Sequence, residues 1–142
     1  MPITWRAAPL SALSGADVYQ LLQLRSTVFI VEQNSVVLDP DGLDLIDSCL
    51  HVIGTDTATG AVVAYARVLG PVVAKAARGT GLGRLVMEKA IEASTKAHPG
   101  LGCQLGAQAY LERFYNSLGF QRLAGAEPYD EHGIPHLDMK RC

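Results

Sequence analysis

Three glycines within five positions lead into a helix-forming run: residues 78–84 read R-G-T-G-L-G-R, and L-V-M-E-K-A-I-E follows directly. Glycine is a weak helix former and loses more backbone freedom on folding than any other residue. It belongs at a helix start where something must come closer than a Cβ atom allows. A strand, then glycines, then an amphipathic helix is the arrangement in which free amides meet an anion. The first-turn N–H groups lack partners within the helix, and that end carries roughly half a positive charge. Arg78 and Arg84 add charge at the rim. The plain alternative is a tight turn.

The spacing narrows the anion. The phosphate-loop pattern G-x-x-x-x-G-K-[ST] is absent, because the residue five after Gly79 is Arg84. The dinucleotide fingerprint fails too: G-T-G-L-G-R puts Arg84 where the third glycine belongs, and no acidic residue near position 100 could hold a ribose. What remains is R-x-x-G-x-G, formed by Arg78, Gly81 and Gly83.

Composition excludes other classes. With 142 residues the chain is expected to be one domain, 1–142, with a real core. A net charge of −2 speaks against a general nucleic-acid binder. No apolar run of about 18 residues suggests a membrane span, and M-P-I-T-W-R-A-A-P lacks the apolar core of a signal peptide. Cys49, Cys103 and Cys142 are odd in number and lack metal-ligand spacing, which fits a reduced, cytoplasmic setting and no metal. There is no internal repeat or linker.

The local patterns predict a mixed sheet. Residues 3–7 read as a short strand, and Ser14 can cap a helix carrying Val18, Leu21, Leu22, Leu24 and Val28. Residues 34–48 hold four aspartates, a proline and a glycine, and read as a loop. Strands 51–55 and 61–69 flank T-D-T-A-T-G, an antiparallel pair, and Gly70-Pro71 turns into a brief V-V-A. Leu82, Leu85, Val86, Ala90 and Ala93 recur at helical spacing until H-P-G at 98–100. Leu101, Cys103, Leu105 and Ala107 alternate as in a strand, which makes Cys103 a core residue. Residues 109–118 read as a helix stopped by Gly119, with Tyr110, Phe114 and Leu118 as its packing face and Tyr115 off that stripe. Strands at 120–124 and 134–139 complete an α/β (α+β) order.

R-x-x-G-x-G resembles the coenzyme A pyrophosphate loop of the GNAT superfamily of N-acetyltransferases. A-Q-A-Y-L-E-R-F-Y-N-S-L-G-F at 107–120 is similar to that family's closing helix, with Tyr115 four residues before Gly119-Phe120. Further pieces resemble one branch, the ElaA-like proteins: L-L-Q-L-R-S-T-V-F-I-V-E-Q at 21–33, D-G-L-D-L at 41–45, A-V-V-A-Y-A-R at 61–67 and G-I-P-H-L-D-M near the end. They fall in the family's order and span nearly the whole chain.

The resemblance implies a mixed, mostly antiparallel sheet flanked by helices, whose fourth and fifth strands splay to hold acetyl-CoA. The fourth strand's backbone would bond the pantetheine amides like an added strand, here at Val72 and Val73. Backbone groups of Gly79, Thr80, Gly81, Leu82, Gly83 and Arg84 would hold the pyrophosphate beside Arg78, and Gln108 stands where the family commonly contacts the pantetheine arm. The family has a longer fourth-strand region than V-L-G-P-V-V-A-K-A-A offers. The resemblance therefore implies a segment missing before Arg78 and a fourth strand ending at Val72-Val73.

Acetyl transfer to an amine needs a neutral amine, a polarised thioester carbonyl and a proton for the departing thiolate. A lysine-like amine has a pKa of about 10.4, a free thiol roughly 8.5 and tyrosine near 10, so Tyr115 can serve as general acid. The fifth strand, L-G-C-Q-L-G-A, lacks the carboxylate that some branches place there. Glu32 and His136 are therefore the candidate bases, with a water chain as a third route and His51 read as a strand residue. Arg25 is expected to pair with Asp44 or to bind an acidic acceptor, and the 39–47 aspartates to be solvated or to meet a basic one. The expected partners are acetyl-CoA and a small-molecule or peptide amine, with two copies pairing through C-terminal strands as the family often does. The rivals are a CoA-binding sensor without catalysis and a nucleotide-binding regulator.

Overall fold

A computed structural model describes residues 2–34, 39–69, 72–77, 82–131 and 133–142, with the backbone alone over Val72–Ala77. The strands are β1 Ile3–Ala8, β2 Cys49–Asp56, β3 Val62–Leu69, β4 Val72–Ala77, β5 Cys103–Gln108, β6 Gln121–Arg122, β7 Tyr129–Glu131 and β8 Ile134–Arg141. They form one sheet in the order β1-β2-β3-β4-β5-β8-β6, with β7 also on β8. All pairings are antiparallel except β4 with β5. β4 begins at Val72-Val73 rather than ending there, and pairs with β3 along its whole length. The residues present thus build a six-residue strand where the short sequence suggested two or three.

Helix α1, Gly15–Arg25, starts with a capping box. The Asp17 N–H donates to Ser14 Oγ at 3.1 Å and the Ser14 N–H to Asp17 Oδ2 at 3.2 Å, satisfying two otherwise orphaned donors. Beyond Arg25 the chain widens into a π-helical stretch, Ser26–Glu32. Thr27 bonds back to the Gln23 carbonyl there, and the Gln33 N–H reaches the Val28 carbonyl at 3.2 Å. Helices α2, Leu82–Ala97, and α3, Glu112–Ser117, follow the glycine loop and β5.

Strand alternation sends side chains to two cores. Leu21, Leu24 and Val28 pack on Ile53 and Tyr65, on the α1 face. Val86, Met87 and Ala90 of α2 pack on Ala64, Ala66 and Val68 of β3 and on Leu105, Ala107, Leu137 and Met139. Small residues on β3 let α2 lie close. Cys103 is buried in this second core, as its alternation predicts.

Three of the four aspartates of the 39–47 loop are taken up in ion pairs, while Asp47 is exposed, as a solvated loop would have it. Asp44 Oδ1 accepts from Arg25 Nη1 at 2.8 Å and from Arg67 Nη1 at 3.2 Å. Asp39 pairs with Arg25 Nε at 3.0 Å, and Asp41 takes Arg67 through two nitrogens at 3.0 Å each. The Arg25–Asp44 pairing is the structural one of its two expected roles. Burial disfavours the Asp41 carboxylate, but Arg67 outweighs this and holds its pKa below the usual value. His51 closes the network from β2: Nε2 donates to the Asp44 carbonyl at 3.1 Å, and Nδ1 accepts from the Tyr65 hydroxyl at 2.6 Å.

Candidate active site

The site begins where the sheet divides. β4 is paired with β3 throughout, and β5 with β8 along all six residues from Cys103 to Gln108. Between β4 and β5, the register among the described residues consists of one parallel pair, Val72 opposite Gln104. Past it the two half-sheets part. A strand leaving its neighbour presents unpaired N–H and C=O groups, which an extended amide chain can use.

Helix α2 follows β4 in the chain and packs against it. Arg78, Gly79, Thr80 and Gly81 lie outside the described residues. Leu82 and Gly83 are half-buried in the first turn, whose amides have no carbonyl within the helix to donate to. Arg84 donates from Nη1 to Ser117 Oγ at 2.9 Å and lies 3.3 Å from Glu88 through Nε. Ser117 Oγ in turn donates to the Phe114 carbonyl at 2.6 Å. The start of α2 is therefore tied to α3, the helix that carries Tyr115.

Tyr115 is not on the exposed side of that helix. It is 5 % exposed and sits in the α2-face core, edge-on to Phe114 at 5.1 Å and to Phe120 at 6.0 Å. Tyr110, expected in the packing stripe, is 76 % exposed. The reason is a change of phase. Residues 109–111 form a 3₁₀ turn and the α-helix starts only at Glu112, so one helical wheel does not run through both tyrosines. Burial pushes the Tyr115 phenol pKa well above its ordinary value.

The remaining expected residues fall on the other side. Gln108 ends β5 opposite His136 of β8. His136 Nδ1 donates to the Ile134 carbonyl at 2.8 Å, which leaves Nε2 as its proton-accepting atom, 3.5 Å from a Glu131 carboxylate oxygen. Glu32 is exposed at the end of the π-helical stretch, which packs against β4. Gln108 and His136 are thus brought together, Arg84 and Tyr115 are joined through α3, and Glu32 belongs to a third element. Sequence reasoning missed β7 and its Tyr129, which stacks on His136 at 6.0 Å. The signal was the glycine just before β8 in E-H-G-I, Gly133, which stands at φ 81°. Asp44, Cys49 and His51 also bring one ligand atom each within 4.8 Å. The Asp44 carboxylate and both His51 nitrogens are committed to protein partners, so the trio is a structural network.

Residues 57–141 match the acetyltransferase (GNAT) domain family. The chain belongs to the GNAT family. The Escherichia coli protein ElaA is 40% identical over 151 aligned positions, covering 98% of this chain and 96% of ElaA. Those positions outnumber the chain's 142 residues, so this relative carries residues that the chain lacks. The crystal structure of E. coli ElaA superposes with a TM-score of 0.88 at 38% identity, covering 99% of this chain and 100% of that one. An acyl-CoA N-acyltransferase from Pseudomonas aeruginosa reaches 0.90 at 32% identity, with coverage of 99% and 100%. The GNAT fold, with its sheet splayed between the fourth and fifth strands, is the architecture described above.

Proposed function

We propose that this GNAT chain acts as one domain, 1–142, that transfers an acetyl group from acetyl-CoA to a primary amine. The observation that carries the reading is the parting of β4 from β5 after Val72–Gln104, on the strand that leads into α2. An extended, amide-bearing cofactor arm suits the strand edge that parts after Val72 and begins at Val73, with Gln108 four residues beyond Gln104 on the facing strand. A pyrophosphate suits the amides at the α2 start, from Leu82, Gly83 and Arg84 back through Arg78, Gly79, Thr80 and Gly81. The similar Pseudomonas protein is named for acyl-CoA chemistry, which agrees with this reading. Among the described residues no helix is long and apolar enough to cross a membrane. A cytoplasmic enzyme, paired through its C-terminal strands, is part of the same proposal.

In this reading the amine attacks the thioester carbon directly, while a β4 backbone N–H polarises the carbonyl. Tyr115 gives its proton to the departing sulfur. Its raised pKa keeps it protonated at neutral pH, and an apolar site raises that of a thiolate as well, so the transfer is not uphill by the whole shift. His136 through Nε2, or Glu32, removes the amine proton. Holding amine and thioester in register supplies much of the remaining acceleration. The six-residue β4 weakens the case for a sensor without catalysis, which leaned on a stunted fourth strand.

The test is thiol release from acetyl-CoA with a panel of amines, for the wild type and Tyr115→Phe. Amine-dependent release that falls at least tenfold in the variant supports the assignment, since general acids typically contribute about 10²–10⁴. Tight acetyl-CoA binding without release for any amine favours the sensor. No CoA binding at all overturns the reading of 78–84.

A further inference from the structure

The face of β5 turned away from α2 and α3 holds groups that the reading above leaves unused. Cys103, Leu105 and Ala107 point into the helical core, and Gln104, Gly106 and Gln108 alternate with them toward the other side. On that side β8 places Asp138 opposite Gly106 and His136 opposite Gln108, and β7 lays Tyr129 beside His136. The Tyr129 hydroxyl donates to Asp138 Oδ1 at 2.9 Å. A Cβ on Gly106 would stand 2.8 Å from that hydroxyl oxygen, so the tyrosine can reach Asp138 only because β5 has no side chain there. Asp138 thus puts a carboxylate on the strand next to β5, at the level of Gly106.

Gly106 and Gln108 lie past the last bonded β4–β5 pair, on the border of the opening. Tyr115 lies on the opposite face, within the α2-side core. The proposed proton donor and the Tyr129–Asp138 pair thus lie on opposite faces of the sheet. We propose that Asp138 and Tyr129 form the acceptor subsite and that it takes a primary ammonium. This rests on the acetyltransferase reading of the same opening.

The chemistry of the pair selects the ligand. A carboxylate can accept about four hydrogen bonds, so Asp138 retains capacity for an ammonium after Tyr129 has donated to it. The phenol oxygen is a second acceptor. Burial, and then the bond to Asp138, push the Tyr129 pKa up to about 12, so it remains a donor that fixes the carboxylate at neutral pH. Glu131, beside His136, adds negative charge that would repel an anionic acceptor. The bound ammonium gives one proton through water to the base, His136 or Glu32, and its lone pair forms the C–N bond as the C–S bond breaks and the sulfur takes the Tyr115 proton. The second nitrogen proton then leaves to water, which returns one to Tyr115.

The test titrates n-butylammonium into the protein with and without CoA, reading backbone amide shifts by NMR beside a CoA dissociation constant. Shifts centred on Gly106, Tyr129 and Asp138, at least tenfold weaker in Asp138→Asn with CoA affinity unchanged, are the expected result. Shifts centred elsewhere, or an unaltered amine affinity in Asp138→Asn, overturn the subsite. If Asp138→Asn does not fold, Tyr129→Phe decides by the same criterion. Loss of CoA binding in the wild type would sink the enzyme reading alone, because the amine titration reads the subsite without CoA.

Discussion

The backbone N–H of Phe120 donates to the Tyr115 carbonyl at 3.0 Å, and the two rings meet edge to face at 6.0 Å. Gly119 lies between them in the chain at φ 91°, with its own N–H on the Asn116 carbonyl at 3.0 Å. Together these bonds make a Schellman end to α3, including the apolar contact that usually accompanies it. The spacing of Tyr115 before G-F is therefore a device for folding the tyrosine back against the phenylalanine. The same contact buries the phenol that is proposed to serve as the acid.

Gly119→Ala is expected to destabilise by about 1–2 kcal/mol, since a side-chain-bearing residue is disfavoured in this left-handed conformation. The new Cβ would also stand 3.1 Å from Arg141 Nε, which donates to the Leu118 carbonyl at 3.0 Å. Thermal unfolding checks this, and an unchanged midpoint would contradict the capping role.

Asp44→Asn should cost about 3–5 kcal/mol, because it leaves two guanidinium groups without the shared charge that offsets their desolvation. Arg25 is 4 % exposed and cannot turn to water for compensation. Urea unfolding of the variant measures the loss, and a change under 1 kcal/mol would mean that the network contributes little.

His51 predicts an acid-side weakness. Burial holds its folded pKa below the ordinary value, so the unfolded chain takes up the proton first as pH falls. Stability is thus complete above about pH 6.5 and declines from there toward the folded pKa. His51→Gln should be less stable at pH 8 but flatter between pH 7 and 5. Parallel slopes for the two proteins would remove His51 from the cause.

What could be read from the chain followed the range of each interaction. The Ser14 cap, the α2 stripe and the β2–β3 pair were legible because their partners lie within a few residues or across one turn. The two roles left open for Arg25 were decided by Asp39 and Asp44, which a separate loop brings to it. Of the aspartates read as solvated or as a basic-substrate surface, Asp39, Asp41 and Asp44 are instead ion-paired, because Arg67 of β3 enters that loop beside Arg25. A single helical phase sets Tyr115 apart from the packing face, and the 3₁₀ turn at 109–111 breaks that phase. β7 escaped notice because three exposed residues leave no alternation to detect.

The sequence by itself determined the local devices: the glycine entry to α2, the cap of α1, the glycine stop after α3 and the alternation of β5. Each follows from backbone freedom or from the period of one element. Only the tertiary structure decided that β5 leaves β4 after one pair, and that Asp138 meets Tyr129 across Gly106. Those outcomes depend on which strands compete for the same edge. Sheet pairing is settled between segments far apart in the chain, where no local pattern reaches.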